Sequence, residues 1–257
     1  KVAEGIGVWV SRRRAAMLKL AAMGEGVSPH PYIFVLPQDQ NETVLLEHLQ
    51  HHGGSVLWEH ELINLEEGGK GVLAKAEGPN GAVEIEAAYV CGCDGASSAV
   101  RHSLGMKFPG GTYAEEFYVA DVQAHGDIDQ GDVNICLDKG GFQLVFPMRG
   151  QNRVRLVGIM PAAYRGQGAV FEFAEIAQQA AEPFGIKVTE TTWFSSYKVH
   201  HRVAPYFRLD RCFLVGDAAH VHSPVGGQGM NTGLMDATNL GWKLAAVLRR
   251  GASERLL

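Results

Sequence analysis

The sequence predicts an α/β fold with one parallel sheet covered on both faces and a separate antiparallel sheet, on three observations. Two short apolar runs, AAYVCGC (87–93) and CFLV (212–215), each lead to an acidic residue and then toward a helix. Between them, from Glu116 to Met160, the segments FYVADVQAHG, DVNICLD, GFQLVFPM and RVRLVGIM alternate apolar and polar residues, as strands of an antiparallel sheet do. A glycine-rich turn after Pro224 opens a long helix that runs to Arg250.

Taken in order, Arg12 to Gly24 reads as a short helix, with Ala15, Leu18 and Ala22 on one face and Gly24 as its stop. A turn-rich stretch to Pro31 leads to an extended run, Tyr32 to Leu36, which Pro37 breaks. A helix is expected from about Asn41 to His52, closed by Gly53-Gly54. Strands are expected at Ser55–Trp58, Gly71–Ala76 and Ala82–Cys93, with turns at Gly68-Gly69 and Pro79-Asn80-Gly81. A helical segment, Ser97 to Leu104, follows with Ser97 as its cap. After the alternating region come a helix, Phe171 to Glu182, a strand, Thr189 to Val199, and a buried strand, Arg211 to Val215.

The chain has 257 residues, 46% of them hydrophobic and 20% charged, with a net charge of −5 and no long run of either sign. That composition is of a globular protein and lacks a nucleic-acid footprint or a polybasic membrane patch. The start, KVAEGIGVWVSRRR, has no secretory h-region, and no apolar stretch reaches membrane-spanning length, so a cytoplasmic location without stable membrane association is expected. Cys91, Cys93, Cys136 and Cys212 each lie in an apolar run and are expected as small buried hydrophobes in a reducing compartment. The 32 glycines point to tight turns and to close backbone approaches to a ligand.

Two junctions carry the chemistry. In CDGASSAVR, Cys93 to Arg101, a strand ends at Asp94 and Gly95, and a serine pair opens a helix containing Arg101. Ligands of parallel α/β sheets lie beyond the carboxyl ends of strands, which is where Asp94 falls. A capped turn with Arg101 in a surface ion pair accounts for the same residues. In RCFLVGDAAHVHSPVGGQGMNTGLMDATNLGWKL, Arg211 to Leu244, a strand delivers Gly216 and Asp217, then Pro224 precedes Gly226-Gly227-Gln228-Gly229 at a helix start. Glycines there let backbone N–H groups approach a ligand, and the helix dipole favours negative charge. A carboxylate at the strand end suits ribityl hydroxyls, and the helix start suits the anionic edge of a reduced flavin.

The second junction resembles the GD motif of the FAD-dependent aromatic-ring monooxygenases of the para-hydroxybenzoate hydroxylase-like (phenol hydroxylase-like, group A) family, and the first resembles their DG motif. The stretch WFSSYKVHHRVAPYFR, 193–208, is similar to the segment preceding the GD motif in phenol-type hydroxylases. The resemblance implies a glutathione-reductase-type, Rossmann-like three-layer FAD domain, residues 1–112 and 203–257, interleaved with an antiparallel-sheet substrate domain, residues 113–202. It implies that Gly216 and Asp217 meet the ribityl chain, and that Pro224, Gly226, Gly227, Gln228, Gly229, Met230 and Asn231 line the flavin, with Pro224 near its reactive edge. Gln38 stands where the family places a glutamine on the FAD chain, although Glu42 is followed by Thr43 where an arginine is common. Leu62 falls where a backbone group meets adenine, and Asp94, Gly95 and Arg101 would serve FAD and the passing nicotinamide coenzyme.

The family opens with a strand, a G-x-G-x-x-G turn and a helix that cradle the pyrophosphate. Gly5-Ile6-Gly7 is no substitute, since no strand precedes it and Val8-Trp9-Val10 denies the third glycine. GIGVWVSRRRAAMLKLAAMG instead resembles the helix region after that unit. The expectation is an N-terminal βαβ unit missing from these residues, with further pieces omitted; an intact mass near 27.8 kDa would contradict it.

By this resemblance the protein is an FAD-dependent, NADPH- or NADH-consuming hydroxylase of a small phenolic substrate, acting through a flavin C4a-hydroperoxide, as a monomer or homodimer. Because the flavin does the chemistry, no catalytic side chain is assigned. Phe142, Phe146 and Tyr197 are candidate pocket residues, although core packing is the commoner role for such aromatics. Other readings keep FAD and change the reaction to a reductase, epoxidase or halogenase, or drop FAD altogether for a binding role. The W-x-W-x-I signature of halogenases is absent. His48, His51 and His52 at a helix end, and His220 with His222 in the GD loop, lack structural-zinc spacing, so no metal site is expected. His200-His201 is expected as a surface pair.

Overall fold

A computed structural model describes residues 2–20, 24–69, 71–126, 128, 131–138, 141–166, 172–223 and 227–257. The strands in chain order are β1 (Val2–Ala3), β2 (Gly5–Val10), β3 (Arg13–Lys19), β4 (Ile33–Phe34), β5 (Glu61–Gly68), β6 (Gly71–Gly78), β7 (Gly81–Ala87) and β8 (Val90–Gly92). They continue with β9 (Gly110–Gly126), β10 (Val133–Asp138), β11 (Gly141–Pro147), β12 (Arg153–Ile159), β13 (Ile186–Val203), β14 (Arg208–Leu209), β15 (Cys212–Leu214) and β16 (His220–Val221). The α-helices are α1 (Gln38–His51), α2 (Ala99–Ser103), α3 (Ala174–Ala181) and α4 (Gly229–Arg250). By contacts the chain divides into two units, Lys1–Ser55 with Ala114–Lys198, and Val56–Tyr113 with Val199–Leu257.

The first unit is built on a mixed sheet in which β9, β12, β11 and β10 are antiparallel neighbours and β2 joins β10 in parallel. One face of this sheet presents Tyr118, Ala120, Val122, Val145, Val154 and Leu156 to a single apolar core. Helix α3 closes that core with Ile176, Ala177, Ala180 and Ala181, and Phe173 and Phe184 flank it. Each side chain of the size of Ile176 contributes about 1.5–3 kcal/mol by such burial.

The largest difference from the sequence expectation lies at Arg12 to Gly24. The expected helix is a hairpin: β2 and β3 pair antiparallel around Ser11 and Arg12, whose φ values of 48° and 63° make the two-residue turn. β2 is fastened to the sheet by Trp9 Nε1, which donates to Asn134 Oδ1 at 2.7 Å, and by Gly5 N, which donates to Asp132 Oδ1 at 2.8 Å. Ala22 of the expected helix lies outside the described residues. Residues 5–19 thus extend the large sheet of the first unit.

In the second unit β5, β6 and β7 form an antiparallel meander, and β8, β15 and β14 form a smaller sheet. β8 and β15 are parallel, in register from Val90 opposite Cys212 to Gly92 opposite Leu214. Val100, Ala204, Leu214, Ala218 and Ala219 form the core here, with Leu62, Val90 and Phe108 packed against it. Ser55–Trp58 is not a strand, and the strand of that region is β5. The expected strand Ala82–Cys93 is two, β7 and β8, and Ser98 rather than Ser97 caps α2. Cys136 and Cys212 are buried as expected, whereas Cys91 and Cys93 are exposed. No helix among the described residues is long and apolar enough to cross a membrane.

Candidate functional site

The parallel pairing of β8 and β15 brings the two sequence junctions together. Asp94 and Asp217 follow the carboxyl ends of these adjacent strands, and Val215 N donates to Gly92 O at 2.9 Å to hold the ends level. That edge of a parallel sheet is where α/β proteins place ligands.

The first junction is closed and heavily braced. Asp94 Oδ2 accepts from Val100 N at 3.0 Å, so its carboxylate caps the first turn of α2. Ser98 Oγ accepts from Arg101 N at 2.9 Å, a second cap. Gly95 turns the chain with φ 76°. Arg101 is not the surface residue that an ion pair would need: it is 2% exposed. Its guanidinium donates to Ala96 O at 2.7 Å and to Ala218 O at 2.9 Å, and lies 4.0 Å over the Phe108 ring. Burial pulls its pKa down, while the Asp94 charge opposes that and favours the cation. Arg101 therefore ties the turn after β8 to the turn after β15.

The second junction is open. Gly216 takes φ 58°, a left-handed conformation that a side chain would strain, and packs against Gly233, where a Cβ would come 3.4 Å from the Gly216 Cα. Asp217 is exposed and makes no side-chain hydrogen bond among the described residues. Behind it, Asp236 of α4 reaches back. Its Oδ2 accepts from Gly216 N at 3.1 Å and pairs with His220 Nε2 at 2.7 Å. The His220 ring lies 5.6 Å from that of Phe207. Helix α4 starts at Gly229 after Gln228, which gives no side-chain cap, so its first N–H groups stay available. Gln228 O accepts from both Thr232 N and Thr232 Oγ1 at 2.8 Å, and Asn231 Nδ2 donates to Gln228 Oε1 at 3.4 Å. Gly227 has φ 62°, and nothing within 4 Å crowds it or Gly229. Met230 is 53% exposed. Pro224 and Gly226 lie outside the described residues.

Leu62 sits on β5, half-buried against the core of the second unit, just before an irregularity in the β5–β6 register. Gln38 begins α1 in the first unit, where its Nε2 donates to Glu42 Oε1 at 2.8 Å. The candidate pocket aromatics split. Phe117 packs on Phe142 at 5.7 Å and stacks on Tyr197 at 6.3 Å, whereas Phe146 belongs to neither pair. On the same strands, Arg155 holds Asp121 through two bonds of 2.7 and 3.0 Å. Burial raises the Tyr197 pKa, so its hydroxyl stays protonated. His48 and His52 meet edge to face at 4.4 Å, but among the described residues no three His, Cys, Asp or Glu side chains form a group able to hold a metal. Sequence reasoning missed Asp236, whose position inside a helix resembles an ordinary solvated face.

These features define an α/β ligand site at the carboxyl edge of a parallel strand pair, with one glycine-rich helix start facing it. Residues 4–257 match the family described as FAD binding domain, and the chain belongs to that family. It is 35% identical over 232 residues to a 6-methylpretetramide 4-monooxygenase of Streptomyces rimosus, covering 89% of this chain and 41% of that protein. It is 34% identical over 192 residues to a 3-hydroxybenzoate 4-monooxygenase of Comamonas testosteroni, covering 67% of this chain and 30% of that protein. The chain thus spans less than half the length of these curated relatives. Among solved structures, p-nitrophenol 4-monooxygenase from Pseudomonas putida shares the fold with a TM-score of 0.85 at 24% identity, over 100% of this chain and 66% of that one. Aklavinone-11 hydroxylase, solved with FAD and aklavinone, matches with a TM-score of 0.79 at 25% identity over 97% of this chain and 50% of its own. The α/β fold class and the likeness to FAD-dependent aromatic monooxygenases read from the two motifs both stand.

Proposed function

We propose that the protein is a flavoprotein monooxygenase that hydroxylates a small aromatic, phenolic substrate with FAD, NADPH or NADH, and dioxygen. The observation that carries this reading is the open second junction beside the braced first one, in a chain 35% identical to a monooxygenase over 232 residues. The donor set fits the cofactor. Asp217 offers an exposed, unpaired carboxylate to ribityl hydroxyls. The free N–H groups from Gly227 to Asn231 offer positive potential to an anionic ring edge, and the absence of Cβ atoms at Gly227 and Gly229 lets the backbone come close.

FAD, when bound and reduced by the nicotinamide coenzyme, would supply the electrons that activate dioxygen, one atom of which is transferred to the substrate and the other released as water. The protein's part is holding and screening. Asp236 fixes Gly216 and His220 so that Asp217 projects at a constant angle. Arg101 fixes Ala96 in the turn after β8 and Ala218 in the turn after β15, and so holds the two turns together. Residues 113–202 form the substrate domain in this reading, in which the buried Phe117 packs on Phe142 and on the half-buried Tyr197. Gln38 and Leu62 are assigned to the remoter parts of FAD.

Incubating the purified protein with FAD, NADPH or NADH and a panel of phenols tests the reading. Coenzyme oxidation stimulated by a phenol, with one oxygen atom from dioxygen in the product, is the expected result. Coenzyme oxidation indifferent to every phenol, with no oxygenated product, would overturn it.

A further inference from the structure

The first unit contains a cavity of about 690 Å³ on the α3 side of its sheet, lined by residues of β9, β11, β12 and α3. One wall is built in strict cross-strand register. Tyr118 of β9 lies opposite Gly158 of β12, and Gly158 lies opposite Gln143 of β11. Gly158 makes this wall possible, since a Cβ there would stand 2.6 Å from Tyr118 Oη. The tyrosine ring therefore lies across the glycine toward β11.

Tyr118 is 1% exposed, yet its hydroxyl has no hydrogen-bond partner among the described residues, and Gln143 Oε1 is likewise buried and unpaired among them. Buried polar atoms are paired in nearly all folded proteins, because leaving them bare forfeits their hydration. Two on one wall of one cavity mark a place for a ligand. Opposite them stand the apolar Met160, Ile176, Ala180 and Pro183, with the exposed Gln179 beside them. At the rim Arg12 is paired with Glu182, which cancels its charge, and Arg165 Nε donates to Met160 O at 3.1 Å.

We propose that this cavity is a second small-molecule site, taking a compact, neutral, mostly apolar ligand with an amide-type edge. The ligand N–H donates to Gln143 Oε1, and its carbonyl accepts from the Tyr118 hydroxyl. Its apolar body rests on Ile176, Ala180 and Pro183. The cavity volume is within the range of drug-sized ligand pockets. All of its lining residues belong to the first unit, and none is among the residues assigned to FAD, so the inference does not depend on the flavin reading.

Fluorine NMR of 4-fluorobenzamide with the FAD-loaded protein tests it. Saturable broadening is expected with the unaltered protein. Tyr118→Phe and Gln143→Leu should each weaken it at least about tenfold, the loss of one hydrogen bond to a buried group. Tyr118→Phe keeps the ring that packs on Phe173 at 5.4 Å and removes only an unpaired hydroxyl, so its melting temperature should not fall. In the unaltered protein N,N-dimethyl-4-fluorobenzamide, which has no N–H, should bind correspondingly less well. Equal binding by the unaltered protein and both variants would place the probe elsewhere and overturn the proposal, as would no binding at all.

Discussion

The two turns that follow the parallel strands are neighbours of opposite character. After β8, the polar groups are largely spent internally: Asp94 on Val100 N, Ser98 on Arg101 N, and the two terminal nitrogens of the Arg101 guanidinium on two carbonyls, while Arg101 Nε has no partner among the described residues. After β15, Asp217 and the start of α4 keep their capacity unspent among the described residues, and the bracing comes from Asp236 behind and from Arg101 at Ala218 O. A ligand site needs both kinds of turn. Unspent donors and acceptors bind, and they bind selectively only where neighbouring groups hold them still. The contrast assigns stability to the first turn and ligand affinity to the second.

Substitutions can break this contrast. Arg101→Met should have the largest effect on stability, about 2–4 kcal/mol, since it leaves two carbonyls unpaired in a buried place. A thermal melt that barely moves would show that Arg101 is not a brace. Asp236→Ala should cost about 1–3 kcal/mol, by freeing Gly216 N and His220, and should also weaken FAD binding because the turn bearing Asp217 loses its tether. Weakened FAD binding without any loss of stability would instead make Asp236 a direct ligand contact. Ser98→Ala should cost about 1 kcal/mol, the value of an N-cap, with FAD affinity unchanged. Denaturant titration beside flavin-fluorescence titration separates the two quantities in each case.

Much of this arrangement was legible in the residues. The strands between Glu116 and Met160 show themselves through their alternation and turns, and α4 announces itself through the glycines at its start. The hairpin at 5–19 was hidden. RAAMLKL is rich in strong helix formers, and the Ser11-Arg12 turn lacks the usual Asn-Gly, so pairing with β2 overrode local preference. β5 was missed because its register shift between Leu62 and Asn64 breaks the two-residue period. Asp94, Arg101 and Asp217 could be singled out from their places after apolar runs. That Arg101 is buried, and that Asp236 reaches back to Gly216, depend on contacts 117 and 20 residues apart along the chain, which no local pattern encodes.

The central claim is that Asp217 and the helix start beside it hold the flavin. It is tested most directly by the FAD dissociation constant of Asp217→Ala against the unaltered protein, with the melting temperature of each FAD-free form. Asp217 is exposed and its side chain bonds to nothing among the described residues, so stability should stay within about 0.5 kcal/mol. FAD should bind at least about tenfold more weakly, as expected for losing a hydrogen bond to a charged group. An Asp217→Ala protein that binds FAD as tightly as the unaltered one would contradict the account.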